Sequence, residues 1–137
     1  MWTFYALLSA ITAAIMTIIA KIGLTKIDPT LATTIRSFIM FIFMLITAFV
    51  LQKHKLIEQI NASAFWTIII SAIFGALSWL FYFLALKDGP ASKVAALDRL
   101  SLVFVVIMAI FILSEKLTWQ ISIGALLMTI GATIMII

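Results

Sequence analysis

The chain has 137 residues, of which 66% are hydrophobic and 10% are charged, and its mean hydropathy is +1.32. A soluble domain is about 45–50% apolar and about 25% charged, so this composition would leave large apolar patches uncovered in water. Water-soluble and disordered proteins are therefore excluded, and a sequence without cysteine excludes a disulfide scaffold and thiolate chemistry. The net charge of +4 comes from scattered single cations, which predicts lysines at a bilayer surface and no nucleic-acid partner.

Five apolar stretches are long enough to cross a bilayer, which takes roughly 20 residues of helix. Continuous apolar runs predict helices, because only hydrogen bonds within the segment satisfy its backbone in lipid. The sequence therefore predicts an all-α integral membrane protein with a single five-helix membrane domain over residues 1–137. The predicted spans are about 2–20, 30–51, 64–86, 91–113 and 117–137.

The breaks between the spans carry residues that start and stop helices. A side-chain oxygen at the N-cap accepts from the first free amides, proline suits the first helical position, and glycine ends a helix. The residues concerned are Asp28-Pro29 before span two, Asn61 or Ser63 before span three, Gly89-Pro90 between spans three and four, and Thr118 before span five.

The longest connection, residues 52–61, is amphipathic and is predicted to lie on the membrane surface, with His54 solvated. An odd number of spans places the termini on opposite sides; the N-terminal side is side A and the other is side B. Trp2, Trp66 and Trp119 stand at side A ends and predict an interfacial aromatic belt. Three lysines fall on side A and four on side B, a balance that fixes no orientation and suggests dual topology.

Small, hydroxyl-bearing and methionine residues recur at helical spacing in spans two, three and five. Such stripes either let helices approach closely in lipid or line a semi-polar cavity, and the sequence leaves both interpretations open. The candidate cavity residues, predicted to bind a substrate or coupling ion, are Ser37, Met40 and Met44 in span two and Ser71, Gly75, Ser78 and Tyr82 in span three. The candidate dimer-packing residues, all in span five, are Gly124, Met128 and Gly131.

Three ionisable residues lie inside spans two and four, where a charge is costly and usually faces a cavity or a partner. Arg36 is seven residues beyond Pro29 and Asp98 is eight beyond Pro90, which places both about 10–12 Å deep at ~1.5 Å per residue. Arg36, Asp98 and Arg99 are therefore predicted to form one charged layer. The layer is either a substrate or coupling-ion site or a static ion pair that docks span two against span four.

Catalytic and metal-binding patterns are missing from the sequence. It has no glycine-rich phosphate loop, no His-Glu-x-x-His and no G-x-S-x-G elbow. One histidine and five dispersed carboxylates do not make a zinc site. The sequence predicts no enzyme activity, no metal and no cofactor.

The run at 113–118, Leu-Ser-Glu-Lys-Leu-Thr, with Gln120, Gly124 and Gly131 after it, resembles the junction between helices four and five of the EamA family. This family belongs to the drug/metabolite transporter superfamily. Residues 21–24, 27–29 and 35–37 are similar to the family's first two spans, so the resemblance covers the whole chain as one five-helix repeat. The chain departs in having Ser114 where glycine is usual and Ala95-Ala96 where a proline is common, and both departures concern the bend of span four.

The resemblance implies one half-repeat of an inverted-repeat transporter. Full-length members carry two such repeats in opposite orientation around a central cavity and move small metabolites or drugs by alternating access. By implication the chain is an exporter or exchanger that pairs with a second copy of itself as an antiparallel homodimer in the cell inner (plasma) membrane. Its other implied partners are the lipid bilayer and a small-molecule substrate. Two alternatives stay open, a subunit of a lipid-carrier flippase and a non-transport membrane assembly or regulatory subunit.

Overall fold

The structure is a computed structural model that describes residues 2–137, apart from the side chains of residues 57–59. Five helical spans are long and apolar enough to cross a membrane, which confirms the predicted all-α membrane fold. Their ends agree with the predicted bounds to within about three residues, the usual scatter of helix ends. The helices are α1 (Trp2–Gly23), α2 (Pro29–Val50), a 3-10 helix (Lys53–Gln59), α3 (Ala62–Asp88), α4 (Ala91–Asp98), α5 (Ser101–Leu113) and α6 (Trp119–Ile136).

The predicted cap at the start of α2 is confirmed. A carboxylate oxygen of Asp28 accepts hydrogen bonds from the amides of Thr30 (2.8 Å) and Leu31 (3.1 Å), and Pro29 occupies the first helical position. The hydrogen bond from Leu31 has the largest effect and, with the bond from Thr30 and the charge of Lys87, it holds the pKa of Asp28 below its usual range against the opposing effect of burial. This loop carboxylate therefore stays ionised at the end of the span.

Two further predicted caps are also in place. The side-chain oxygen of Asn61 accepts from the amide of Ala64 at 2.8 Å, so Asn61 rather than Ser63 caps α3. The hydroxyl oxygen of Thr118 accepts from the amide of Ile121 at 3.4 Å at the start of α6. These bonds satisfy amides that have no partner within the helix, which is why the polar residues stand at these breaks.

The end of α5 requires a left-handed residue, and the chain places Ser114 there with φ 54° and ψ 32°. The amide of Glu115 then reaches back to the carbonyl of Ala109 at 3.2 Å, which gives one of the last carbonyls of α5 a hydrogen-bond partner. Glycine adopts this conformation without the steric cost that a Cβ brings. The geometry explains why glycine is usual at this position in the family that the chain resembles.

Ser114→Gly is therefore expected to stabilise the folded chain by roughly 0.5–1 kcal/mol, because the left-handed penalty of ~1–2 kcal/mol is relieved and only partly offset by unfolded-chain entropy. Reversible unfolding in mixed micelles measures the change. Ser122→Gly, inside α6, is the matched control and should lower stability by roughly 0.5 kcal/mol. An unchanged or lower stability in Ser114→Gly would contradict this explanation.

Span four is broken near its middle, whereas the sequence predicted one continuous span over 91–113. The helix α4 ends at Asp98 and α5 begins at Ser101, and the amides around the break bond three residues back in the 3-10 manner. The break forms without a proline. The amides that donate in this way are those of Leu100, Leu102 and Val103, at 3.0 to 3.1 Å.

The helices fall into two compact units. The terminal unit comprises the chain up to Lys21 together with Asp88–Ile137, and the central unit comprises Ile22–Lys87. In the terminal unit α6 packs against α4 and α5, with Ala96 and Ala132 buried. In the central unit the 3-10 helix packs on α2. Only 6% of the most apolar part of each span is buried within the chain, so most of its apolar surface is left for lipid or a partner.

Lysines hold two helix ends of the terminal unit. The Nζ of Lys21 donates to the carbonyl of Gly89 at 2.9 Å, and the Nζ of Lys93 donates to the carbonyl of Ile136 at 2.6 Å. Carbonyls at helix C-termini have no helical donor and carry partial negative charge, so a cation is favourable there. These two lysines tie the turn after α3 and the end of α6 to their neighbours.

The histidine of the 52–61 connection corrects one expectation. The ring of His54 lies 4.9 Å from the ring of Phe49, and its Nδ1 is buried without a hydrogen-bond partner among the described residues. The side chain is half-buried rather than solvated, because packing on Phe49 covers one of its faces. The predicted amphipathic pattern also includes Ile57 and Glu58, whose side chains lie outside the described part of the chain.

Candidate functional site

Arg36, in α2, lies against aromatic side chains of α3 within the central unit. Its guanidinium carbon is 3.8 Å from the ring centroid of Trp79 and 5.5 Å from that of Phe83. Both distances fall within the ~6 Å range of a cation–π interaction, which strengthens when the cation is shielded from water. The half-buried charge is thus stabilised by two aromatic rings.

The aromatic partners of Arg36 form a cluster on one face of α3. Tyr82 and Phe83 stand three and four residues after Trp79, which brings the three side chains together on one side of the helix. The ring of Trp79 meets Tyr82 at 5.9 Å and Phe83 at 6.1 Å, in the edge-to-face geometry that aromatic quadrupoles favour. Phe83 is only 3% exposed, so the cluster is anchored in the chain.

The N–H groups of Arg36 make no hydrogen bond or ion pair within the described residues of the central unit. A cation–π contact uses the face of the guanidinium, whereas its five donors point outward in the plane of the group. Arg36 is half-buried, so part of its side chain is still accessible from outside the chain. The guanidinium of Arg36 thus forms a fork of hydrogen-bond donors beside the rings of Trp79 and Phe83, here called the aromatic platform.

The other two residues of the predicted charged layer stand at the break in span four. Asp98 is the last residue of α4 and Arg99 lies in the turn that follows, and both side chains are exposed within the described chain. They belong to the terminal unit, whereas Arg36 belongs to the central unit. The joining of the three into one layer stays a prediction.

The predicted cavity stripes lie on open helix surface. The α2 stripe is exposed, and its Ser37 hydroxyl donates to the carbonyl of Thr33 at 2.8 Å, which leaves that oxygen free to accept. On α3, Tyr82 is drawn into the aromatic cluster beside Arg36. Their role in lining a cavity stays a prediction. The exposed members are Ser37, Met40, Met44, Ser71 and Ser78, and the half-buried ones are Gly75 and Tyr82.

The predicted packing face of α6 is not covered by other parts of the described chain. A Cβ added at Gly124 or Gly131 would meet nothing within 4 Å, and Met128 between them is exposed. Ala132, by contrast, is buried inside the terminal unit. The glycines therefore serve no packing within the described chain, and the dimer contact assigned to them stays a prediction.

An apolar groove lies between α5 and α6. Its volume is about 410 Å³, and it opens toward the outside of the terminal unit. Gly124 and Met128 line its α6 wall, whereas Glu115 and Lys116 stand at the end formed by the turn between the helices. The groove therefore combines an apolar interior with one charged end.

The whole chain, residues 1–137, matches the EamA-like transporter family. The chain belongs to this family. It is 34% identical over 134 residues to a protein of Sinorhizobium sp. called "Uncharacterized transporter in cobO 3'region", an alignment that covers 98% of this chain and 95% of that relative. No solved structure matches the chain.

Membership of the EamA family confirms the resemblance and identifies the chain as a multi-pass membrane transporter whose five spans correspond to one half-repeat. A transporter family and a transporter-named relative point to transport rather than catalysis. Among the described residues, no group of three or more His, Asp or Glu side chains is placed to hold a metal ion.

Sequence reasoning did not identify the partners of Arg36 in this EamA-family chain. Trp79 and Phe83 were absent from the predicted stripes, although Tyr82 between them was included. A signal was present, because Trp79 stands nine residues before the end of α3 and not at a membrane interface. A tryptophan at that depth, with aromatic neighbours three and four residues later, indicates a buried cluster with a polar or cationic partner.

Proposed function

We propose that the chain is half of an alternating-access transporter for small metabolites or drugs, an exporter or exchanger in the plasma membrane. The observation that carries this proposal is Arg36, a cation inside span two with an aromatic platform and open donors. Ionisable groups inside a membrane mark substrate and ion pathways, since their cost must be offset by function or by a partner. In a family of transporters, a substrate pathway is the simplest use of this residue.

We propose further that the functional unit is an antiparallel homodimer. A relative of nearly the same length supports a single repeat as the working chain, and inverted pairs of repeats are a common architecture of transporters. The apolar surface that each span leaves uncovered also supports pairing with a second copy. The charged layer of Arg36, Asp98 and Arg99 then occurs twice, once on each side of the midplane.

Uptake and counterflow in proteoliposomes test the transport proposal. Purified full-length chain is reconstituted and loaded with members of a panel of anionic, cationic and neutral metabolites, with protein-free vesicles as the control. Saturable counterflow of at least one compound is expected, at a rate at least tenfold above protein-free vesicles. A panel that exchanges only at the protein-free rate would contradict it.

Dual insertion is expected because the lysine balance between the two sides is too even to force one orientation. The sequence has no cysteine, so single cysteines at Lys53 and Lys87 are clean probes of the two sides. In intact cells, an impermeant thiol reagent should label a substantial fraction at each site and leave the rest protected. Full labelling at one site with full protection at the other would show a single orientation and rule out the antiparallel dimer.

A lipid-carrier flippase subunit is a second candidate, favoured by the groove between α5 and α6. An open apolar groove of about 410 Å³, with Glu115 and Lys116 at one end, suits a lipid tail whose headgroup lies at the charged end near the membrane surface. Movement of a fluorescent polyprenyl phosphate between leaflets tests this candidate. A flippase subunit should move the lipid only after a second, different chain is added, whereas the homodimer proposal requires solute exchange by this chain alone.

A further inference from the structure

The geometry around Arg36 narrows the class of substrate, an inference that rests on the proposed transport function. The guanidinium carbon lies 3.8 Å from the centroid of the Trp79 ring and 5.5 Å from that of Phe83, so two aromatic rings stand beside the cation. Its in-plane donors have no partner within the described residues of the central unit. A planar fork of this kind matches two oxygens of one carboxylate or phosphate.

The rings of Trp79 and Phe83, which form the aromatic platform, also reduce the conformational entropy that the Arg36 side chain loses when it binds a ligand. A free arginine side chain gives up considerable rotamer freedom when it clamps a ligand, whereas one held on Trp79 is already positioned. Phe83 is 3% exposed and meets Trp79 edge-on, which fixes the platform in turn. Arg36 is thus preorganised for recognition and not only neutralised.

The charges near the side B end of the central unit favour an anion. Lys26, Arg36 and Lys87 stand against Asp28, and Asp88 follows Lys87 at the end of α3, so cations exceed carboxylates here by three to two. The carboxylate of Asp28 is already bound by the amides of Thr30 and Leu31, so it is not available to neutralise Arg36. A cationic ligand would meet the charge of Arg36 and compete with it for the Trp79 face.

We propose that Arg36, held on Trp79 and Phe83, is the recognition site for the carboxylate or phosphate group of an anionic ligand. The group belongs to a soluble metabolite or to a lipid headgroup, since both offer the same oxygens to the fork. Trp79 and Phe83 act as positioning residues, and their rings also offer a surface to an apolar or aromatic part of the ligand.

Calorimetry on the wild-type chain in phosphatidylcholine nanodiscs tests the recognition directly, with benzoate and inorganic phosphate as the anions and benzylamine as the cation. Saturable binding of at least one anion, with no binding of benzylamine, is expected. Arg36→Gln should weaken it by about a hundredfold and Arg36→Lys by about tenfold, because lysine keeps the charge but lacks the fork. Lys55→Gln, which removes an exposed cation of the 52–61 connection, is the matched control and should bind within about threefold of wild type.

The emission of Trp79 locates the bound anion. In a chain whose other three tryptophans are replaced by phenylalanine, the anion that binds should change Trp79 emission with the same concentration dependence as the calorimetric signal. Repeating the measurement with phosphatidylglycerol in the nanodisc distinguishes the sources. If the headgroup is the ligand, phosphatidylglycerol alone changes the emission and blocks the soluble anion; if the ligand is soluble, the anion still binds.

Equal anion binding by wild type and Arg36→Gln overturns the inference, as does binding of benzylamine alone or no response to either anion source. These results are separate from the outcome for transport. Arg36-dependent binding without exchange of any solute would leave the site standing and remove the proposed function. Exchange of neutral or cationic solutes without anion binding would support the proposed transport function and remove the anion site.

Discussion

Asp98→Asn is expected to leave a folded dimer that no longer transports, with exchange at least a hundredfold below wild type. The substitution keeps the shape of the side chain and removes its charge at the break in span four, where α4 ends and α5 begins. Intramembrane carboxylates at such positions commonly bind or release a proton or cation during a transport cycle. Breaks in transporter helices likewise tend to stand at binding sites. Counterflow in proteoliposomes, with size-exclusion chromatography on the same sample, measures both properties.

Asp88→Asn is the matched control, because Asp88 ends α3 at the membrane surface and should tolerate the same change with less than about a twofold effect on exchange. The double exchange Arg36→Asp with Asp98→Arg separates the two interpretations of the layer. If the two residues form a static ion pair, the swapped protein should regain stability and transport, because only breaking a buried pair destabilises the fold. We expect no recovery of transport. Wild-type exchange by Asp98→Asn, or full recovery in the swap, would favour the static pair.

The second large effect is expected at α6, where Gly131→Leu should weaken dimerisation by about tenfold or more. Gly131 has open space around it in the described chain, so a leucine fits the isolated chain and disturbs only what packs against that face. Close approach of small residues drives helix association in lipid, and forcing bulk into a packed contact costs about 1–3 kcal/mol. Cross-linking yield as a function of the protein-to-lipid ratio measures the change.

Thr133→Leu is the control for Gly131→Leu, because Thr133 is exposed and points to the opposite side of the same helix. Its hydroxyl bonds only to the carbonyl of Thr129 within α6, at 2.8 Å. Gly124→Leu should act like Gly131→Leu if the two glycines share one contact with the partner. Equal cross-linking of Gly131→Leu and Thr133→Leu would remove α6 from the dimer interface.

Local chemistry explains why the sequence was a good guide to the helices. The caps at Asp28, Asn61 and Thr118 each join residues two or three apart, so the relevant atoms are neighbours before any tertiary contact forms. Span length follows from the apolar runs, because lipid demands a helix wherever the chain has no polar partner. The break at Asp98 escaped prediction, since an apolar run on both sides conceals a short change from α to 3-10 bonding.

The sequence by itself determined the membrane class, the five spans, the capping residues and the family resemblance, all of which depend on composition and short-range order. It also indicated that Arg36 is important, because a charge at that depth is costly and usually faces a cavity or a partner. Only the structure decided what Arg36 touches, that the glycines of α6 are left uncovered by the described chain, and where span four is broken. The physical reason is that the rotation of one helix against another depends on packing over its whole length. An apolar span has no polar face from which its rotation could be predicted. Trp79 and Phe83 were therefore identified as partners of Arg36 only in the structure of α2 and α3.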